Sequence, residues 1–208
     1  MRICAVADLH GFLPEIPACD LLLIAGDICP ATDHSLFFQI EWLATEFRAW
    51  LSRRTMPVVA IWGNHDLIGE HAPELVPRLP WTLLQDSATE FGGLKIYGSP
   101  WQLRFFDWAF NLDEPELAQK WALIPEDTDI LLLHGPPYGF GDWVGRGKHE
   151  GSPSLRERIF QVRPKLAVFG HIHEGRGRWF EDGVMLANVT LMDEAYRPVH
   201  EPAMFELT

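Results

Sequence analysis

The 208-residue chain has no long apolar run and only three cysteines. Apolar runs such as Leu21–Ala25 are far shorter than the roughly 20 residues that cross a bilayer, so no membrane partner is expected. Cys4, Cys19 and Cys29 are odd in number and lack the spacing of a metal-binding motif. They therefore favour reduced thiols and a cytoplasmic location.

Basic residues are also scarce. The chain has 17 Lys and Arg against 29 Asp and Glu, which gives a formal net charge of −12. This balance argues against a basic surface that holds long nucleic acid. A small phosphate-bearing substrate stays open, because bound divalent cations would dominate the local field.

Length and composition predict a single domain over residues 1–208, with 47% apolar and 22% charged residues. The apolar run of residues 3–7 leads directly to Asp8, without a separate charged region or a cleavage site. It therefore predicts a first strand rather than a signal peptide. The sequence leaves the oligomeric state open.

Short apolar segments alternate with amphipathic ones along the chain. Continuous hydrophobicity predicts buried strands at residues 3–8, 21–27, 58–62, 130–134 and 166–170. Helical spacing and capping residues predict helices at residues 33–54, with Thr32 or Asp33 as the cap, and at 114–123 and 153–162. Two hairpins are expected, 81–84 with 94–97 and 178–180 with 184–187. This alternation is typical of a layered α/β domain.

Each predicted buried strand ends in a polar fragment. The fragments are Asp8-Leu9-His10, Gly26-Asp27, Gly63-Asn64-His65-Asp66, His134-Gly135 and Gly170-His171-Ile172-His173. Ligands of α/β sheets gather beyond the carboxyl ends of the strands, so these side chains are expected to meet. Asp8 and His10 are two residues apart, and an extended continuation of the strand would point both to one side.

The donors in these fragments suit divalent metals. Mixed oxygen and imidazole ligands fit Mn²⁺, which we prefer, or Fe²⁺ or Zn²⁺, whereas the lack of thiolates argues against a structural zinc site. Two carboxylates, one amide and four imidazoles suit two ions that share a bridging carboxylate. Centres of this kind activate a water and stabilise in-line displacement at phosphorus.

The order of the fragments resembles the calcineurin-like metallophosphoesterase superfamily over residues 8–173. Local strings resemble its metallophosphoesterase-domain-containing (MPPED-like) branch: Gly98-Ser99-Pro100-Trp101, His134-Gly135-Pro136-Pro137, Asp142-Trp143-Val144 and Gly170-His171-Ile172-His173-Glu174-Gly175. The resemblance implies a layered αββα sandwich with mixed sheets and an active site at the C-terminal ends of the strands.

The resemblance also implies residue roles. One ion would be held by Asp8, His10, Asp27 and His173. The other would be held by Asp27, Asn64, His134 and His171. His65 would protonate the leaving oxygen as a general acid, and Asp66 would orient its imidazole. A hydroxide that bridges the metals would attack phosphorus.

Departures from related branches narrow the expected substrate. Residues 28–32 lack the arginine that protein phosphatases place after this aspartate, and Pro30 stands where purple acid phosphatases have a tyrosine. The expectation is a phosphodiesterase that acts on small phosphodiesters, with cyclic nucleotides among the candidates. Phosphomonoesterase or nucleotide pyrophosphatase activity at the same site is the alternative, and an inert scaffold is a third.

A few residues outside the fragments are candidates for substrate contact. His149 and Ser152 precede the predicted helix 153–162, where Ser152 is expected either to cap the helix or to help bind phosphate. Trp101, in an aromatic cluster that continues to Phe110, is expected either to stack a nucleobase or to join the core. Asn188, after the last predicted hairpin strand, could reach the site. His34, His71 and His200 are expected to have no direct role.

Overall fold

Two mixed β-sheets pack face to face in the computed structural model, which describes residues 1–145 and 147–207. The strands are β1 (Arg2–Val6), β2 (Leu21–Ala25), β3 (Val58–Ile61), β4 (Thr82–Leu83), β5 (Ser87–Phe91), β6 (Leu94–Ser99), β7 (Gln102–Leu103), β8 (Asn111–Leu112), β9 (Ile130–Leu133), β10 (Trp143–Val144), β11 (Lys148–His149), β12 (Leu166–Phe169), β13 (Gly177–Glu181), β14 (Val184–Asn188) and β15 (Ala203–Glu206).

The first sheet has the order β15-β1-β2-β3-β4, and the second has the order β13-β14-β12-β9-β6-β5. Neighbours among β1 to β4 run parallel, whereas β15 pairs antiparallel with β1. In the second sheet β6, β9, β12 and β14 run parallel, and β5 and β13 close the edges antiparallel. The parallel strands therefore direct their carboxyl ends to a common edge of each sheet.

Helices cover the outer faces of both sheets. They are α1 (Leu36–Trp42), α2 (Arg48–Leu51), α3 (Leu67–His71), α4 (Glu114–Trp121) and α5 (Pro153–Val162), and a π-helical turn, Leu43–Phe47, joins α1 to α2. No helix in the described part of the chain is long and apolar enough to cross a membrane.

Alternate residues of each central strand face different cores. Cys4 and Val6 of β1 pack towards Trp42 and Phe47, whereas Ile3 and Ala5 point between the sheets. A third core lies between the second sheet and the helices α4 and α5. Burial on both faces explains the continuous hydrophobicity of these strands, and the predicted αββα sandwich is confirmed.

The prediction for the first helix was wrong at its start. Asp33 accepts a hydrogen bond from the backbone N–H of Ser35, and Ser35 caps the helix by accepting from the N–H of Phe38. The Asp33 side chain thus stabilises a turn before the helix, so that α1 begins at Leu36 and not at residue 33.

The first predicted hairpin was also partly wrong. Its turn at Gly92 and Gly93 is present, but β5 rather than residues 81–84 pairs with β6 across it. Strand β4, Thr82–Leu83, instead joins the other sheet, parallel to β3. The second hairpin, β13 with β14, was predicted correctly.

Candidate active site

The five polar fragments lie at the carboxyl ends of β1, β2, β3, β9 and β12. The chain turns sharply there, because Asp8, His10, Asp27 and His171 all adopt positive φ, between 43° and 69°. The prediction that Asp8 and His10 continue an extended strand was therefore wrong. Left-handed backbone at non-glycine residues costs free energy and often marks functional sites.

Glycines let these fragments approach one another. A Cβ on Gly63 would lie 2.3 Å from the backbone nitrogen of Asp27, and one on Gly170 would lie 2.4 Å from Oδ2 of Asp8. Side chains at these two positions would push the loops apart.

The structure brings Asp8, His10 and His173 together, with one donor atom of each within 4.8 Å of the others. Asp8 Oδ1 accepts a hydrogen bond from the backbone N–H of His171 at 3.0 Å. The Nδ1 atom of His173 lies 2.9 Å from the carbonyl oxygen of Asp193, which leaves its Nε2 atom directed towards Asp8 at 3.9 Å. These three side chains form one half of the cluster.

Asn64, His134 and His171 form the other half. The Oδ1 atom of Asn64 lies 2.8 Å from His134 Nε2 and 2.7 Å from His171 Nδ1. Asp27 lies between the halves, since its Oδ1 atom is 3.5 Å from His134 Nε2 and its Oδ2 atom is 3.6 Å from His10 Nε2. This is the position that a bridging carboxylate requires.

The electrostatics of the cluster suit cations. Burial lowers the pKa of His10 and of His171 to about 3, which keeps both imidazoles in the neutral form that binds metal. Burial alone would lower the pKa of His134. The negative charges of Asp27 and Asp8 and the hydrogen bonds of the ring together have the larger effect, and the pKa of His134 rises to about 9. The buried carboxylates Asp8 and Asp27 thus favour positive charge beside them.

A specific observation fits metal binding. Both ring nitrogens of His10 are buried without a hydrogen-bond partner in the described part of the chain, although buried polar atoms are normally paired. Two half-clusters of oxygen and imidazole donors around a shared aspartate fit two divalent ions. The residues present are therefore suited to the metal centre predicted from the sequence.

His65 lies at the edge of this cluster, and the hydrogen-bonding partners of its ring nitrogens lie outside the sequence fragments. Its Nδ1 atom lies 2.8 Å from His34 Nε2, and its Nε2 atom lies 3.5 Å from the Tyr196 hydroxyl. The Trp108 ring lies 4.3 Å from the His65 ring, centroid to centroid. One donor atom of His65 also lies within 4.8 Å of donor atoms of His10 and Asp27.

The predicted orientation of His65 by Asp66 was wrong. The Asp66 carboxylate instead accepts hydrogen bonds from the backbone N–H groups of Ile28, Cys29 and Gly63, at 2.8 to 3.1 Å. The chain turns after Asp66 into α3, and this turn directs the carboxylate towards the loop that follows β2. His34, for which the sequence predicted no role, lies beside His65 instead.

Ser152 and Asn188 make structural contacts in the described chain. Ser152 accepts a hydrogen bond from the backbone N–H of Leu155 and caps α5, as one of the two sequence interpretations expected. The Asn188 amide is buried and donates to the carbonyl oxygens of Gly141, Gly170 and Ile172. It thereby fixes the loop that carries His171 and His173.

His149 and Trp101 are placed differently. The Nδ1 atom of His149 pairs with the buried Asp142 carboxylate at 2.7 Å, and its ring stays partly exposed beside Tyr138. The Trp101 indole donates to Asp86 and packs against Phe110, but it also lines a small cavity that His171 shares. Substrate contact by either residue stays a prediction.

Sequence reasoning gave no role to His34, placed Trp108 only in the aromatic cluster of residues 101–110, and did not consider Tyr196. They lie before α1, in the loop between β7 and β8 and in the segment between β14 and β15, respectively, and none follows a buried strand. Tyr196 has a positive φ of 57°, an unusual conformation for an aromatic residue, which sequence patterns do not reveal. Only the packing of distant segments brings these side chains to the site.

Comparison with known proteins identifies the family of this chain. The model of the calcineurin-like phosphoesterase family matches residues 1–175. The chain belongs to the calcineurin-like phosphoesterase family. It is 34% identical over 239 aligned residues to human metallophosphoesterase domain-containing protein 1, a match that covers 99% of this chain and 71% of the human protein. A UPF0046 protein of Caenorhabditis elegans is 30% identical, with coverage of 100% and 81%. These relatives place the chain in the MPPED-like branch of the calcineurin-like phosphoesterases.

Solved structures share the fold of this family member. The protein TT1561 of Thermus thermophilus matches with a TM-score of 0.54 and 17% identity, covering 90% of this chain and 88% of the other. A 5'-nucleotidase precursor from the same organism matches with a TM-score of 0.51 and 16% identity, covering 90% of this chain and 48% of the other. Family membership supports metal-dependent phosphoester hydrolysis as the class of chemistry.

Proposed function

We propose that this chain is a phosphodiesterase that hydrolyses small phosphodiesters, with cyclic nucleotides as candidate substrates, and that His65 is its general acid. The observation that carries the proposal is the position of His65. Its Nε2 atom faces the Tyr196 hydroxyl at the edge of the Asp8, His10, Asp27 and His173 cluster, while its Nδ1 atom is held by His34.

The proposed metal ligands are the two sets that meet at Asp27. Asp8, His10, Asp27 and His173 would hold one divalent ion, and Asp27, Asn64, His134 and His171 would hold the other. When bound, two such ions activate water and stabilise negative charge on the phosphoryl oxygens. We propose Mn²⁺ as the ion, and the same oxygen and imidazole donors without thiolate also suit Fe²⁺ or Zn²⁺.

The chain's own residues would then handle the leaving group. A water molecule supplies the oxygen of the new P–O bond and releases a proton to solvent, while the P–O bond to the leaving oxygen breaks. That oxygen takes the proton from His65 Nε2, and His65 is later reprotonated from solvent. General acid catalysis of this kind contributes about 10²- to 10⁴-fold to the rate.

Exposed aromatic side chains near the cluster support a substrate with an apolar or planar group. Phe105 is half exposed, and its ring lies 6.2 Å from the ring of His171. Phe106 is 75% exposed and packs on Phe105. A nucleobase or an aryl leaving group would bury part of this apolar surface.

The test uses purified protein that is stripped of metal and reloaded with Mn²⁺. It compares bis(4-nitrophenyl) phosphate with 4-nitrophenyl phosphate, followed by a panel of cyclic and linear nucleotides. The diester should be hydrolysed faster. A faster monoester rate would favour the phosphomonoesterase alternative, and inactivity with Mn²⁺, Fe²⁺ and Zn²⁺ would favour an inert scaffold.

The role of His65 is tested separately. His65→Ala should retain the Mn²⁺ content of the parent and lose turnover, most severely on diesters with poor leaving groups. His71→Ala, at the exposed end of α3, is the matched control and should behave like the parent. Parental turnover of His65→Ala on a phenyl diester would refute the assignment of the acid.

A further inference from the structure

His65 has a hydrogen-bonding partner that belongs to none of the five polar fragments. His34 Nε2 lies 2.8 Å from His65 Nδ1, a normal hydrogen-bond distance between imidazoles. His34 precedes α1 and is half-buried, and the turn formed by Asp33 and Ser35 positions it there. The rings of His34 and His65 both contact Trp108, at 4.6 and 4.3 Å between centroids.

The backbone around His65 is also tied to α1. Gln39, buried on α1, donates to the carbonyl oxygen of His65 at 2.7 Å and accepts from the backbone N–H of Ile68 at 2.9 Å. The start of α1 therefore fixes both the main chain and the ring of His65. Asp66, which the sequence suggested for this role, instead binds backbone amides.

We infer that His34 is the positioning residue of the general acid, accepting a hydrogen bond from His65 Nδ1 throughout the reaction. This inference rests on the proposed function, since it presumes that His65 donates a proton.

The donor and acceptor roles follow from the chemistry of imidazole. A His65 that carries its catalytic proton on Nε2 as the cation also carries one on Nδ1, and that N–H needs an acceptor. Neutral His34 with its proton on Nδ1 offers Nε2 as that acceptor. After Nε2 of His65 gives its proton to the leaving oxygen, the Nδ1–H bond to His34 is unchanged.

The surroundings of His34 disfavour its charged form. Burial lowers the pKa of His34, and the neighbouring His65 lowers it further. A neutral histidine fixes the ring of His65 and its tautomer without placing a negative charge beside it. A carboxylate partner would differ from His34, because its negative charge would also stabilise the charged form of His65.

The experiment measures kcat and KM of the Mn²⁺-loaded protein on phosphodiesters whose leaving group varies from 4-nitrophenol to phenol. His34→Ala should lower kcat by about tenfold on the phenyl substrate, because the His65 ring is then no longer held in the orientation for proton transfer to the leaving oxygen. On the 4-nitrophenyl substrate kcat should stay close to that of the parent, because this leaving group needs little protonation. KM, Mn²⁺ content and melting temperature should not change.

Two further variants separate the hydrogen bond from packing. His34→Gln keeps an acceptor near the position of Nε2 and should restore most of the phenyl activity, whereas His34→Leu keeps bulk against Trp108 without an acceptor and should resemble His34→Ala. Equal activity of the Gln and Leu variants on the phenyl substrate would overturn the inference. The Gln and Leu pair decides the question even if His34→Ala does not fold.

His65→Ala, measured in parallel, distinguishes a failure of the proposed general acid from a failure of the proposed positioning residue. If it shows no dependence on the leaving group, the proposed acid itself is wrong. If it shows that dependence while the His34 variants lack it, only the positioning role is wrong.

Discussion

The Asp66 carboxylate connects two loops that carry proposed metal ligands. It is fully buried and accepts backbone N–H groups from Ile28 and Cys29, after Asp27, and from Gly63, before Asn64. Burial, followed by the charge of Asp27, raises the pKa of Asp66 to about 6, although these backbone donors oppose that rise. Asp66 therefore acts on the site through the backbone and not through the His65 ring.

Asp66→Asn should destabilise the protein. The amide keeps one acceptor oxygen but turns an NH₂ group towards backbone donors, so at least one buried N–H loses its partner. We expect the free energy of unfolding to fall by about 1–3 kcal/mol in urea denaturation, and Mn²⁺ affinity to fall with it.

Asp107→Asn, in the exposed loop after β7, is the control and should leave stability unchanged. If Asp66→Asn retained parental stability and Mn²⁺ affinity but lost activity only on poor leaving groups, Asp66 would be the orienting residue after all.

At the residue scale, the sequence predicted which side chains meet but not all of their partners. Asp27 and Asn64 were predictable because each follows a buried strand, and parallel strands end at one edge. The contact of His34 with His65 was not predictable, because it depends on where the turn before α1 packs against a loop 31 residues away.

Ser152 shows how one side chain holds two helices together. Its hydroxyl oxygen accepts from the N–H of Leu155 at the start of α5 and from the Trp121 indole at the end of α4, and the hydroxyl donates to Glu114 at the start of α4. Glu114 also accepts from the backbone N–H of Ser154. The capping bond and the junction between the helices thus depend on the same hydroxyl.

Ser152→Ala should therefore lower the stability of the protein and leave its catalytic activity unchanged. Loss of the cap costs about 0.5–2 kcal/mol, and the Trp121 indole N–H loses its partner as well. Thermal denaturation should show a lower melting temperature, with KM and kcat of the folded enzyme unchanged. Ser154→Ala, which keeps the backbone donor, should lose less stability. A raised KM at a parental melting temperature would instead support phosphate contact by Ser152.

Among the elements, α5 was predicted with its observed bounds, because Ser152 and Pro153 are strong start signals and the apolar spacing is regular. The start of α1 and the hairpin partner of β6 were not predicted correctly. Asp33 and Ser35 are both good caps, and only the tertiary fold selects between them. Likewise, β4 is only two residues long, and so short a segment does not indicate which sheet the strand joins.

On the scale of the whole molecule, the pairing of distant segments completes the site. Strand β15 pairs with β1, and the segment that leads to it places Tyr196 against His10 and His173, at 4.7 and 5.1 Å between ring centroids. A layered α/β domain was predictable from the order of strands and helices, and the family resemblance implied its αββα form. The position of Tyr196 was not, because it follows from a pairing of strands at opposite ends of the chain.

Metal binding should stabilise the whole fold. Asp8 and Asp27 are buried at the meeting point of the two sheets, and burial raises the pKa of Asp8. A cation that binds only the native state raises the free energy of unfolding by about 2.7 kcal/mol when its concentration is 100 times its Kd. For about 200 residues, this corresponds to a rise in melting temperature of about 5–11 °C.

Scanning calorimetry of the EDTA-stripped protein, with and without Mn²⁺, measures that rise. Asp27→Asn is the informative variant, because it removes the carboxylate whose two oxygens face His10 and His134. It should lose most of the Mn²⁺-dependent rise, and Asp107→Asn should keep all of it. An equal rise in both variants would mean that Mn²⁺ stabilises the protein from another site, since neutralising a shared bridging ligand weakens both halves of the centre at once.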